Sequence, residues 1–197
     1  MYSRRAPHLL SLLLAMLAMV AAVPQSRADA LDGVLEVRSA YVSVEQGVFQ
    51  LFARVAYPVN DDIRAALKDG LTLTFDLDVV VDRERRFWMD ATVEELKLQR
   101  ELSYHAVSDR YVTRDVDPRS SSELHSYATL EEALETLGTI DAWPIMVTPK
   151  LSLDRQYRVS LRAGIRRGRL SDTLRVLLFW TDDWHRESEW FSWSLQH

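Results

Sequence analysis

The sequence predicts a mainly β protein: an antiparallel β-sandwich, immunoglobulin-like in architecture, with two short helices. Three observations carry that expectation. Apolar and polar residues alternate along several runs, most clearly Leu71, Leu73, Phe75, Leu77 and Val79 against Thr72, Thr74, Asp76 and Asp78. The connections between such runs are short, with few glycines or prolines and no low-complexity linker. Two segments alone combine helical spacing with a capping residue before and a glycine after.

The chain begins with a different kind of segment. Met1 to His8 holds Arg4 and Arg5 and no acid, Leu9 to Val23 is apolar but for Ser11, and a polar patch leads into Ala28-Asp29-Ala30. That is the order of a secretory signal peptide. The apolar run is shorter than the roughly 20 residues that span a bilayer. Arg4-Arg5 resembles a twin-arginine signal, but Ala6-Pro7-His8 lacks the apolar residues that normally follow. The expected division is a signal peptide over 1–30 and a single β-sandwich domain over 31–197. Cleavage is expected after Ala30, with a second site after Ala28. The expected location is the periplasm, with no stable membrane insertion after cleavage; the alternative is an inner-membrane anchor formed by the uncleaved segment.

The elements follow in order. Val34–Val42 and Val48–Tyr57 read as strands, and Glu45-Gln46-Gly47 between them reads as a hairpin turn. Pro58 stops the pairing. Asn60 caps a short helix carrying Ile63, Ala66 and Leu67, and Gly70 ends it. Leu71–Val81 is a half-buried strand whose Thr72–Asp78 face is expected in water. After a charged turn at Asp82–Arg86, Phe87–Ala91 and Val93–Leu98 form the next strand, and Glu101–Val112 is again β-rich. Pro118–Ser122 is a loop and Glu123–Ala128 a short strand. Thr129 with Glu132 three residues on is a capping-box pattern. It opens a second helix with Leu130, Ala133, Leu134 and Leu137 in one stripe and Gly138 as its stop. Tyr157–Ile165 is a strand and Arg166-Arg167-Gly168-Arg169 a turn. Leu174–Trp180 is an apolar run that fits strand or helix. Glu189–Leu195 closes the chain, with Phe191, Trp193 and Leu195 on one face.

Composition narrows the chemistry. The absence of cysteine excludes disulfides, Cys-ligated zinc, iron–sulfur clusters and cysteine nucleophiles, so the core must hold the fold unaided. The formal charge is −5; residues 1–30 hold three arginines and one aspartate, which leaves −7 on the rest. No basic tract stands out, which argues against nucleic acid and against charge-driven binding to an anionic membrane. The scattered glycines form no phosphate-cradling loop. No cofactor, metal or catalytic residue is expected.

Several clusters are candidate sites. The stretch WTDDWHRESEWFSW, Trp180 to Trp193, holds four of six tryptophans. On a helix His185 and Glu189 would share a face beside Asp182 and Asp183, but no second histidine lies near, so a solvated turn is the expectation. His105, Ser108 and Asp109 sit close in sequence, yet there is no G-x-S-x-G elbow and a triad normally draws on separate segments. Arg162, Arg166, Arg167 and Arg169 would suit an anion, but a solvated turn is the expectation. Trp88 and Trp193 read as core. Trp184 and Trp190 read as rim residues available to a partner.

Four stretches together resemble a known family: LTLTFDLDVVVDRERRFWMD at 71–90, ELSYHAVSDRYV at 101–112, YATLEEALETLGTIDAW at 127–143, and YRVSLRAG with the tail LRVLLFWTDDWHRESEWFSW. They resemble an uncharacterised family of exported proteobacterial proteins, a domain of unknown function, over essentially the whole mature chain. Arg169-Leu170-Ser171-Asp172 departs from it where a Leu-Pro turn is expected. The resemblance implies no activity, cofactor or catalytic residue. It implies genes often placed near a membrane sensor histidine kinase of the nitrogen-regulation type.

The functional expectation is a non-enzymatic exported envelope protein, a protein-binding or accessory module whose partner is another envelope protein, linked through that neighbourhood to a membrane sensor. The alternatives are a glycan-binding module using surface tryptophans and a hydrolase with a dispersed site.

Overall fold

The structure, a computed structural model, describes residues 31–85, 89–116, 123–147, 155–168 and 184–195. Ten strands and two helices occur among them. In chain order they are β1 (Glu36–Glu45), β2 (Val48–Ala56), α1 (Asp61–Lys68), β3 (Leu73–Arg83), β4 (Ala91–His105), β5 (Arg110–Asp115), β6 (Leu124–Tyr127), α2 (Leu130–Gly138), β7 (Thr139–Val147), β8 (Tyr157–Arg167), β9 (His185–Glu187) and β10 (Phe191–Leu195). The protein is mainly β, antiparallel throughout, with two short helices, as the periodicity predicts.

The strands form two sheets. A small one has the order β1-β2-β7; a large one has the order β10-β8-β3-β4-β5-β6, with β9 also paired to β8. The inner faces of β2, β3 and β8 supply one continuous buried cluster. β3 is its centre: Leu73, Phe75, Leu77, Val79 and Val81 are all buried, and the strand pairs with β4 on one side and β8 on the other. The alternation visible in the sequence is the imprint of that position.

Local chemistry explains the boundaries that the sequence shows. Gln46 and Gly47 take the left-handed region, φ 51° and 77°, and join Glu45 to Val48 through a two-residue turn that matches strand twist. Asn60 Oδ1 accepts the Ile63 N–H at 2.7 Å and caps α1. Thr129 Oγ1 accepts the Glu132 N–H at 3.2 Å, and the Glu132 carboxylate reaches back to the Ala128 N–H at 3.2 Å. The return arm of the capping box therefore lands one residue earlier than its usual partner.

Four expectations are corrected. Thr139–Val147, unassigned from sequence, is β7. Pro144 hides it, but β7 is an edge strand, where a missing N–H is tolerated. Its pairing with β2 is irregular, shifting register twice, and Ala142 sits at φ 52°. α2 ends at Gly138, as expected, and the chain passes straight into β7. The glycine is needed because a Cβ there would lie 2.1 Å from the Val55 carbonyl oxygen. Arg166 and Arg167 are strand residues, paired with Thr74 and Leu73, not a turn. Finally, the polar face of β3 is not open to water: Thr74 and Asp76 are buried there, beneath the long side chains of β4 and β8. The two runs expected around Val93–Leu98 and Glu101–Val112 become one long strand, β4, turning into β5. Residues 1–30, Trp88, Pro118–Ser122, Arg169, Leu174–Trp180 and Asp182-Asp183 lie outside the described residues.

Candidate functional site

The outer face of the large sheet carries a lattice of charges. Asp76 accepts from Arg166 Nε at 2.7 Å and from Gln99 Nε2 at 2.7 Å, and its carboxylate is 8% exposed. Asp78 takes Lys97 at 3.0 Å and Arg162 at 3.2 Å, and Arg162 continues to Glu187 at 2.6 Å. The Arg162 guanidinium lies over the Trp190 ring, 4.7 Å from its centroid. Strand register builds this: Asp76 and Asp78 stand opposite Gln99 and Lys97 on β4, and Arg162 opposite Asp78 on β8. Three acids meet three bases, so Arg162 and Arg166 of the expected cluster are already engaged by carboxylates. An anion would have to displace one. Arg167, on the opposite face of β8 from Arg166, is not part of the lattice.

The tryptophan-rich stretch divides by depth. Trp184, Phe191 and Trp193 are half-buried and pack against the core, with Phe191 and Trp193 5.8 Å apart between ring centroids. Trp190 is 45% exposed. Of the two tryptophans expected at the rim, Trp190 is at the surface and Trp184 leans on the core. His185 and Glu187 belong to β9, a strand, so the helical face that would join His185 to Glu189 is never made. His185 Nε2 lies 3.5 Å from Glu187 Oε1 instead. Among the described residues no group of three or more His, Asp or Glu is placed to hold a metal ion.

His105 Nδ1 is 2.8 Å from Ser108 Oγ at the exposed β4–β5 turn. Asp109 does not continue that chain: it accepts the Tyr104 hydroxyl at 2.5 Å. That bond raises the Tyr104 hydroxyl above its ordinary range. Two separate pairs close one turn, and no serine–histidine–aspartate series forms.

The outer face of the small sheet holds a feature that the sequence reading missed. Tyr41 of β1 and Phe52 of β2, a registered pair, stack with ring centroids 4.9 Å apart and planes 3° from parallel. Next along β2, Arg54 Nη1 bonds Asp141 of β7 at 3.0 Å and the Ile140 carbonyl at 3.3 Å. A register shift between Val37 and Ser39 makes Arg38 the extra residue of a bulge, a device that re-aims a side chain. Here it brings Arg38 beside Arg54. Between this face and α2 lies a hollow of about 550 Å³ lined by Arg38, Arg54, Tyr57, Glu131, Leu134 and Glu135, among others. A smaller hollow of about 160 Å³ continues it past Tyr41, Phe52 and Asp141, sharing Ser39 and Arg54. The larger is in the size range of ligand sites.

The electrostatics of this furrow are set by its walls. The hydrogen bond from Arg64, 2.6 Å away, holds the Glu131 carboxyl below the usual carboxylate range. Burial pushes the Tyr57 hydroxyl up to about 12, against the pull of the Arg100 charge. The furrow offers an aromatic face, guanidinium donors and carboxylate acceptors, which suits binding. Phe52, on the polar side of a strand whose other face is Phe49, Leu51, Ala53 and Val55, was the legible hint. The β7 wall was not legible without β7 itself.

Searches of curated proteins and of solved structures return no match. A family model does match, over residues 33–194, nearly all of the described fold, and its description is a domain of unknown function. The chain therefore belongs to the DUF4390 family.

Proposed function

We propose that this chain is an exported, non-enzymatic envelope protein that binds another protein along the edge of its small sheet. The observation that carries the reading is β1. It spans ten residues at the outer edge of the sheet and, among the described residues, pairs with β2 on one side only. Tyr41 is 58% and Val44 53% exposed along it. Natural sheets usually blunt such edges with bulges, lysines or prolines. The bulge at Arg38 blunts one end of β1, and Ala40–Glu45 remains in regular register. An open edge of that kind accepts an added strand from a partner, whose backbone supplies affinity and whose alternate side chains supply specificity.

The signal-like start and the resemblance to exported proteins support a periplasmic setting, and the gene neighbourhood that the resemblance implies makes a membrane sensor the first bait. A second reading, glycan binding, draws on Trp190, an exposed ring beneath the Arg162 guanidinium. Photo-crosslinkers placed singly at Ser43 and at Trp190 in intact envelope separate the two. The expected result is a protein adduct from Ser43 that Val44→Lys abolishes. Polysaccharide adducts from Trp190, with none from Ser43, would replace the first reading by the second.

A further inference from the structure

We infer that the furrow beside β1 receives a bipolar extended peptide, one acidic and one basic side chain of the partner segment, an inference that rests on the protein-binding reading. The charges of the furrow are sorted by wall. The sheet wall presents Arg38 and Arg54; the helix wall presents Glu131 and Glu135. Much of that charge is uncommitted. Arg38 engages Glu36 through Nε alone, at 3.5 Å, with both side chains more than half exposed. Arg54 spends Nη1 on Asp141 and Ile140. Among the described residues Glu135 makes no side-chain ion pair, while Glu131 is tied to Arg64. One wall thus offers free guanidinium donors and the other a free carboxylate.

A ligand of one sign would meet repulsion from one wall. A wholly apolar one would strip water from both without replacing it. A segment whose carboxylate faces Arg38 and Arg54 and whose ammonium faces Glu135 satisfies each wall. The guanidinium fork rewards a carboxylate in particular. The furrow runs on to the Tyr41–Phe52 stack, which lies on β1 and β2 themselves, so a strand added to β1 has this face beside it. The arrangement also rejects partners by charge order, since a reversed segment places like charges together.

The test uses short Thr/Val host peptides long enough to pair with Ala40–Glu45, carrying one Glu and one Lys in either order at several spacings, or neither. Binding to the mature protein is read by fluorescence anisotropy. One charge order should bind about tenfold tighter than the uncharged host. Arg38→Ala and Glu135→Ala should each remove most of that gain. The double variant Arg38→Glu with Glu135→Lys should prefer the opposite order, a reversal that general destabilisation cannot produce. Equal binding of both orders, or failure of every peptide to bind, overturns the inference. Host binding that Val44→Lys abolishes but charge leaves unchanged would sink the furrow and spare the edge. Charge-ordered binding that survives Val44→Lys would do the reverse.

Discussion

Tyr57 meets Phe75 edge to face, with ring centroids 4.8 Å apart and planes at 81°. Tyr57 follows the last residue of β2 in the small sheet, and Phe75 is near the start of β3 in the large one. The contact therefore pins one sheet to the other at the end where the furrow opens. Such pairs prefer this geometry because a positive ring edge meets a negative ring face.

Alkaline stability should report on that contact. Burial raises the Tyr57 hydroxyl from 10.0 to about 12, so the fold holds it neutral. A folded value above the unfolded one means the contribution is complete below about pH 10 and is lost as pH climbs through about 12. The full span is worth about 2–3 kcal/mol. Urea midpoints measured across that range should fall for the wild type and fall less for Tyr57→Phe. Parallel curves would show that the hydroxyl is not what burial acts on.

Gly138→Ala should be among the most damaging small changes. The added carbon would sit 2.1 Å from the Val55 carbonyl oxygen, backbone against backbone, with no flexible side chain to yield. Overpacking of this kind costs about 1–3 kcal/mol or more. Denaturant unfolding checks it. A loss under about half a kcal/mol, the scale of a neutral surface change, would mean that α2 slides freely over β2.

Asp76→Ala should destabilise more than Asp76→Asn. Asp76 is nearly closed off by Arg166, Gln99 and Lys97, whereas Arg166 and Lys97 are about half exposed. Water around those cations moderates the loss to about 1–3 kcal/mol, below the cost of breaking a fully buried pair. Asparagine keeps a carbonyl for one donor. Equal stability of all three proteins would make the lattice a surface ornament.

The tryptophans should separate by depth. Trp193→Ala and Trp184→Ala remove half-buried rings on the core and should each cost about 2–3 kcal/mol, short of a full aromatic deletion. Trp190→Ala, at the surface, should cost about 1 kcal/mol, mostly the lost contact with Arg162. Melting curves of the three variants suffice. If Trp190→Ala proves the worst, β10 is anchored by the charge lattice and not by the core.

How much was legible depends on where the signal sits. The β1–β2 turn, the Asn60 and Thr129 caps and the alternation of β3 were readable because each is a relation among residues a few positions apart. Their hydrogen bonds and buried faces leave a mark in the local pattern. β7 left none: its one proline and irregular register look like loop, and only an edge position beside β2 makes them acceptable. Arg166-Arg167-Gly168 looked like a turn because charge and glycine usually mean water. Pairing to Thr74 and Leu73 on β3 overrode that preference.

The sequence alone determined the antiparallel β class, both helices and the inner face of most strands, since these follow from periodicity and capping within one segment; the family was legible only as a resemblance spread over four stretches. Tertiary structure decided what lies opposite what. It closed Asp76 under Arg166, separated Trp184 from Trp190 in depth, and set Arg38 and Arg54 of the small sheet across from Glu135 of α2. Those contacts join residues tens of positions apart through strand register and sheet packing, and the period of a single strand carries no information about its neighbour's.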